Sequence, residues 1–190
     1  YDVDGVTAVC TLYLYLKSLG ADVCYYIPNR NGEGYGVSVA AVEEIAAKGV
    51  SLIITVDTGI TAAAEVEYGK TLGVDFVVTD HHECRSELPD ACAVVNPHRP
   101  DCSYPFKELA GVGVAFKLAA ALCGSQEEVL SQYADMVCLG TVADVMPLQG
   151  ENRIFVSQGL KSLDNTTRPG LAALMQAGGC DSKQLTASSV

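Results

Sequence analysis

Short apolar runs rich in β-branched residues alternate with longer stretches of helical pattern, and that alternation constrains this chain more than any other feature. Residues 51–56 (SLIITV), 75–78 (DFVV) and 92–95 (CAVV) read as strands, and 22–27 (DVCYYI), closed by Pro28, reads as another. Residues 6–19, 37–48 and 61–72 carry apolar residues at helical spacing. Strands that alternate with helices build βαβ units, hence a parallel sheet with helices on its faces. From about residue 112 the pattern is mainly helical, over 112–123, 126–138, 151–163 and 168–177. The expected fold is α/β: a parallel sheet of about five strands flanked by helices, followed by a mainly helical segment.

The chain opens on YDVDG, inside what reads as a site motif, so a first strand is expected upstream of Tyr1 and the chain is expected to be a piece of a longer protein. The final DSKQLTASSV trails off without a helix stop. Residues 1–163 are expected to form the metal-binding domain, and 164–190 the start of a helical connection toward a further domain. With 49% hydrophobic residues in 190, a sizeable core can be buried. No apolar run approaches the roughly 20 residues that a membrane helix needs, so no membrane partner is expected.

In open parallel sheets, ligands bind beyond the carboxyl ends of the strands. Those ends carry chemistry here. SLIITV runs into Asp57, DFVVT runs into Asp80, His81 and His82, and the expected first strand runs into Asp2 and Asp4. Any one aspartate could cap a helix or sit in a turn, as Asp4 before Gly5 illustrates. A convergence of several is costly, since two carboxylates about 4 Å apart repel by roughly 4 kcal/mol at an effective dielectric near 20. A cation would relieve that repulsion. Oxygen ligands with one or two imidazoles suit Mn²⁺ or Mg²⁺ and not a structural zinc. Adjacent side chains on extended backbone point opposite ways, so one of His81 and His82 can ligate while the other faces the substrate or a ligand's outer side. Asp144, alone among apolar residues in GTVADVMPL, needs a metal or a charged partner if buried. His98, in NPHRPDC, reads as a solvated loop histidine.

The net charge of −11 argues against a nucleic-acid partner, because phosphate-binding faces are usually basic. Two divalent cations among these acids would cancel about four of the charges. The eight cysteines show no C-x-x-C spacing, and most lie in apolar stretches. They read as buried free thiols, which implies a reducing, cytoplasmic setting.

The segments YDVDGVTA, NRNGEGYG, TVDTGI, VTDHHE, AVVNPHRPDCSYPFKELAGVGVAFKLAAAL and GTVADVMPLQGENR together resemble the DHH phosphoesterase superfamily over at least residues 1–160. The long PFKELAGVGVAFK block and ADVMPLQGENR resemble its branch of single-stranded-DNA exonucleases. The resemblance implies a hydrolase that cuts phosphodiester bonds of single-stranded DNA, 5′ to 3′, in repair and recombination, with repair or single-strand-binding proteins as partners. It implies a two-metal site holding Mn²⁺ or Mg²⁺. Asp4, Asp57, His81 and Asp144 would surround one ion. Asp2 and Asp57 would hold the other together with a residue upstream of Tyr1, and its absence from this sequence is expected to weaken that second site. His82 would stabilise charge on the phosphate or protonate the leaving group, and Asp80 would orient a neighbouring imidazole. Arg30 would contact a substrate phosphate. Gly32, Gly34 and Gly36 are expected to allow a tight turn, and Gly111 and Gly113 close packing at the start of an apolar helix. The chain alone is expected to bind metal and to act weakly, if at all, on DNA.

Three other readings compete. A DHH phosphodiesterase acting on short oligonucleotides, cyclic dinucleotides or pyrophosphate would carry the same metal site. A non-catalytic DHH-fold replication scaffold would have lost metal ligands, whereas Asp2, Asp4, Asp57, His81 and Asp144 are all present. A flavodoxin-like nucleotide-binding domain is disfavoured by the lack of a P-loop or G-x-G-x-x-G fingerprint.

Overall fold

The computed structural model describes residues 1–32, 34–180 and 185–188. Helix α1 (Val3–Ser18) and helix α2 (Val39–Ala47) precede strand β1 (Leu52–Thr55). Helix α3 (Ala63–Thr71) leads to β2 (Asp75–Thr79), and β3 (Ala93–Val95) follows. Four helices complete the order: α4 (Gly111–Cys123), α5 (Gln126–Ala143), α6 (Gly150–Leu163) and α7 (Pro169–Ala177). The strands form one sheet in the order β1-β2-β3, all parallel, with Leu52 opposite Asp75 and Val77 opposite Ala93.

The architecture is the expected α/β sheet flanked by helices, but the sheet has three strands among the described residues, not about five. Residues 22–27 do not become a strand. A strand exists only through its ladder, and this extended segment pairs with no strand; it lies instead where Tyr25 meets the Tyr13 ring of α1 edge-on at 5.4 Å. The strand expected before Tyr1 lies outside the sequence. Of the terminal stretch, 185–188 form neither helix nor strand, and 181–184 and 189–190 lie outside the described residues.

Alternation along the strands sets the two sides of the sheet. Ile53, Phe76 and Val78 pack with Val42 of α2 and Val66 of α3. Ile54 turns the other way, onto a larger core in which α1 (Ala8, Leu12), α4 (Val112, Phe116) and α5 (Val129, Val137) interlock. Fully burying a valine, leucine or phenylalanine of these clusters, such as Val42, Phe76 or Phe116, contributes about 1.5–3 kcal/mol. A third cluster ties α6 and α7 to the far side of α5 through Cys138, Val156, Leu163 and Leu171. The helical second half is thus packed onto α1 and α5.

Helix α5 runs to Ala143, past the expected end at residue 138. Gly140 explains the extension. At this position α5 comes so close to α1 that a Cβ would overlap the Thr7 hydroxyl and stand 2.7 Å from an Asp4 oxygen. Tertiary packing carries the helix through a glycine that intrinsic propensity disfavours. The helix ends in a reversal in which Val145 and Met146 N–H groups return to Val142 and Thr141 carbonyls, with Val145 at φ 57°.

The thiols depart from expectation. Cys138 alone is buried; Cys24 and Cys92 are exposed and the others partly so. Apolar neighbours in sequence did not translate into burial, because Cys24 sits on the segment 22–27, outside the sheet, and Cys92 on the loop entering β3. Among the described residues, no helix is long and apolar enough to cross a membrane.

Candidate metal centre

Four elements converge beyond the carboxyl edge of the sheet. Asp57 lies two residues past β1, and Asp80, His81 and His82 directly follow β2. Asp4 sits in the first turn of α1, which Asp2 caps by accepting the Gly5 N–H at 2.9 Å. Asp144 is the C-cap of α5.

His81 is the hub. Its Nε2 lies 3.1 Å from Asp57 Oδ1, 3.6 Å from Asp144 Oδ2 and 3.8 Å from Asp4 Oδ2. Two overlapping groups have donor atoms mutually within 4.8 Å: Asp4, His81 and Asp144, and Asp57, His81 and His82. Asp2 belongs to neither. Its second oxygen accepts the Tyr35 hydroxyl at 3.3 Å, and it faces Asp57 across Gly5, whose added Cβ would stand 3.3 Å from Asp2 Oδ1 and 3.2 Å from Asp57 Oδ2.

Asp4 is only 2% exposed, and its carboxylate is received by the N-terminus of α4: Gly111 N–H donates to one oxygen at 2.6 Å and Val112 N–H to the other at 2.8 Å. A helix start offers such unpaired donors together with a favourable dipole. Gly111 is needed for another reason as well, since a Cβ there would overlap the Asp57 side chain. The close packing expected of Gly111 is therefore packing against a site carboxylate. Burial first, and then the nearby Asp57 charge, pushes the Asp4 carboxyl up to about 7. Burial likewise raises Asp57 and Asp144, against the pull of His81. For His81, burial works downward, but the Asp57 and Asp4 carboxylates outweigh it and raise its pKa.

Asp80 and His82 form a separate unit. Asp80 Oδ1 takes the His81 and His82 N–H groups at 2.7 and 3.1 Å and lies 2.7 Å from His82 Nδ1, while Oδ2 accepts the Ile60 N–H at 2.9 Å. Burial would raise Asp80, but these hydrogen bonds outweigh it and hold the carboxyl below its usual value. The bond to Asp80 lifts His82 to about 9, so its half-exposed ring is a cation at neutral pH.

Arg30 is not drawn into the cluster. Its guanidinium lies over the Tyr1 ring at 4.8 Å; Tyr1 meets Tyr35 edge-on at 5.4 Å, and Tyr35 meets the His82 ring at 6.4 Å. His98 is not merely solvated, since its Nδ1 lies 3.2 Å from Glu83 Oε1. Tyr35 and Asn96, both beside the His82 segment, went unnoticed in the sequence. Asn96 had one legible signal, an Asn-Pro pair directly after a strand, which marks a turn at the carboxyl edge.

Whether a cation suits this cluster can be judged from the atoms themselves. His81 Nε2 and Asp57 Oδ1 are buried without a hydrogen-bond partner, although they lie near each other. Buried polar atoms are rarely left so. A set of carboxylate oxygens around one imidazole nitrogen is a donor set for Mg²⁺ or Mn²⁺, so the residues fit a divalent ion.

The strand-end acids and the paired histidines on a parallel sheet define a class, and the comparison with known families agrees: residues 1–141 match the DHH family, N-terminal domain, and the chain belongs to the DHH family. Its relatives carry a more particular name. It is 50% identical, over 95% of its length, to the single-stranded-DNA-specific exonuclease RecJ of Bacillus subtilis (strain 168), and 43% identical, over 99%, to that of Salmonella typhimurium. It spans 23% and 35% of the length of those two proteins. Among solved structures, exonuclease RecJ bound to manganese superposes with a TM-score of 0.82 at 40% identity, over 95% of this chain and 46% of that one. RecJ from Thermus thermophilus in complex with Mn²⁺ gives 0.77 at 37%, over 94% and 26%.

Proposed function

We propose that this chain is the metal-binding domain of a single-stranded-DNA-specific exonuclease that hydrolyses phosphodiester bonds with Mn²⁺ or Mg²⁺. The observation that carries the proposal is the convergence of Asp4, Asp57 and Asp144 on His81, with Asp57 Oδ1 and His81 Nε2 buried and unpartnered. The similarity to RecJ supports the substrate, single-stranded DNA, and the metals. Residues 1–163 form the domain on this reading, and 164–190 begin the connection toward a second one. A place in repair and recombination, 5′ to 3′ polarity and single-strand-binding or repair proteins as partners belong to the same proposal. The free thiols support a cytoplasmic setting.

Asp4, Asp57, His81 and Asp144 hold one ion on this reading, and Asp2 with Asp57 hold part of a second site. Bound divalent ions supply an activated water and charge neutralisation at an in-line displacement on phosphorus. The protein's own groups do the rest. The Gly111 and Val112 amides fix Asp4, so its oxygens do not have to reorganise when an ion enters. His82, positively charged and held through Nδ1 by Asp80, stabilises charge on the phosphate or gives a proton to the leaving oxygen. Arg30 contributes a planar fork for a neighbouring phosphate. Exposed Tyr35, edge-on to His82, offers a base a surface to stack on.

Calorimetry of this chain with Mn²⁺, followed by digestion by the full-length protein of a labelled single-stranded oligonucleotide, its duplex, a dinucleotide and a cyclic dinucleotide, tests the reading. Mn²⁺ binding that His81→Ala weakens by about a hundredfold or more, and cleavage restricted to the single strand, are expected. A chain that binds no Mn²⁺, or a full-length protein that prefers the short substrates, would reject the exonuclease assignment.

A further inference from the structure

The His82 segment stands on a long connection. Between β2 and β3 the chain forms neither helix nor strand, and 80–83 are the first residues of that crossover. Irregular segments of this length move unless they are tied down. Three ties bind this one to the end of β3 and the turn after it: Asp80 N–H donates to the Val95 carbonyl at 3.0 Å, Asn96 Nδ2 donates to the His82 carbonyl at 2.9 Å, and Glu83 Oε1 meets His98 Nδ1 at 3.2 Å. The last is exposed on the glutamate side and contributes little. The first anchors the start of the segment. The Asn96 bond alone, among the described residues, reaches the main chain of His82 from outside residues 80–82.

Asn96 is 3% exposed and divides its amide between two jobs. Its Oδ1 accepts the His98 N–H at 2.7 Å, the ordinary Asx turn that an Asn-Pro pair favours. That turn requires the oxygen only. The buried Nδ2 is directed instead at His82, and this second bond is the one that local turn chemistry does not explain. Asp80 sets the rotation of the His82 ring through Nδ1, yet a ring can be aimed only as well as the backbone that carries it.

We propose that Asn96 is a positioning residue for His82: by holding the His82 carbonyl it fixes where the His82 ring meets the scissile phosphate. The proposal deepens the hydrolase reading, and its kinetic consequence rests on that reading. Its structural consequence does not.

Two substitutions separate the turn from the tie. Asn96→Ser and Asn96→Asp both keep an acceptor for the His98 N–H, and neither can donate to the His82 carbonyl as the amide does. The serine variant adds no charge to the buried position, so it serves if the aspartate variant does not fold. In folded variants, Mn²⁺ affinity should stay within about threefold of the parent while kcat for a single-stranded oligonucleotide falls about tenfold to a hundredfold, the scale of a misplaced catalytic group. The proton NMR signal of the His82 Nδ1–H bonded to Asp80, sharp and slowly exchanging in the parent, should broaden or vanish. A variant that folds and keeps that signal overturns the proposal, and so does loss of Mn²⁺ binding in step with kcat, which would make Asn96 a general support of the metal centre. Activity is read in the full-length protein; if that parent proves inactive on DNA, the hydrolase reading fails, while the His82 signal still decides the role of Asn96.

Discussion

Asp57 adopts φ 58°, a left-handed backbone that costs most L-residues about 1–2 kcal/mol and that aspartate tolerates better than most. The turn it makes after β1 brings its carboxylate beside His81 and against Gly111. Asp4, its neighbour across the cluster, yields the first prediction. A carboxyl raised to about 7 is largely protonated below that pH in the metal-free chain, so an incoming ion must displace the proton. Mn²⁺ affinity should therefore rise with pH through about 7, the raised His81 imidazole adding to the rise, with proton release on binding in the acidic range. Titration calorimetry in buffers of different ionisation enthalpy reads that release; affinity independent of pH between about 5.5 and 7 would contradict it. The meeting of Asp57 with Asp80, His81 and His82 at one edge was legible in the sequence, because the ends of parallel strands share an edge; Asp4 and Asp144 reach it from helix ends, which strand geometry does not foretell. The amides of Gly111 and Val112 were not, since every residue other than proline carries an N–H and only the placement of α4 makes these two a clamp.

The elements that hold the site are joined by close approaches more than by charge. Gly111→Ala improves intrinsic helix propensity, yet its Cβ would overlap Asp57, so a loss of about 1–3 kcal/mol together with weakened Mn²⁺ binding is expected, read by chemical denaturation and calorimetry. Val145 offers the opposite case. It is a β-branched residue at φ 57°, 86% exposed, in the position of an α5 cap where glycine is favoured. Val145→Gly exchanges a left-handed penalty of about 1–2 kcal/mol for a backbone-entropy cost of about 0.5–1 kcal/mol, so the melting temperature should rise. Helix periodicity and β-branched runs located most elements within a few residues. Residues 22–27 misled because strand propensity describes one chain while a strand needs two. The last turn of α5 lies past the expected end at residue 138, because the packing of Gly140 against α1 that carries it is tertiary and leaves no periodic signal.

Over the whole molecule, the groups that meet at His81 come from α1, from beyond β1 and β2, and from the end of α5, with Asp4 and Asp144 far apart along the sequence. No unfolded chain holds these atoms together, so ion binding is linked to folding. At a free Mn²⁺ concentration about a hundred times the Kd, stability should increase by about 2.7 kcal/mol, seen as a higher melting temperature that a chelator reverses; a melting temperature indifferent to Mn²⁺ would speak against a folded-state site. The same arrangement has a mechanical side. Pulling α1 away from α5 would load the coordination bonds before any strand of the sheet began to slide. An ion seated between them would act as a rivet, and its exchange with solvent would set how long the first helix stays seated.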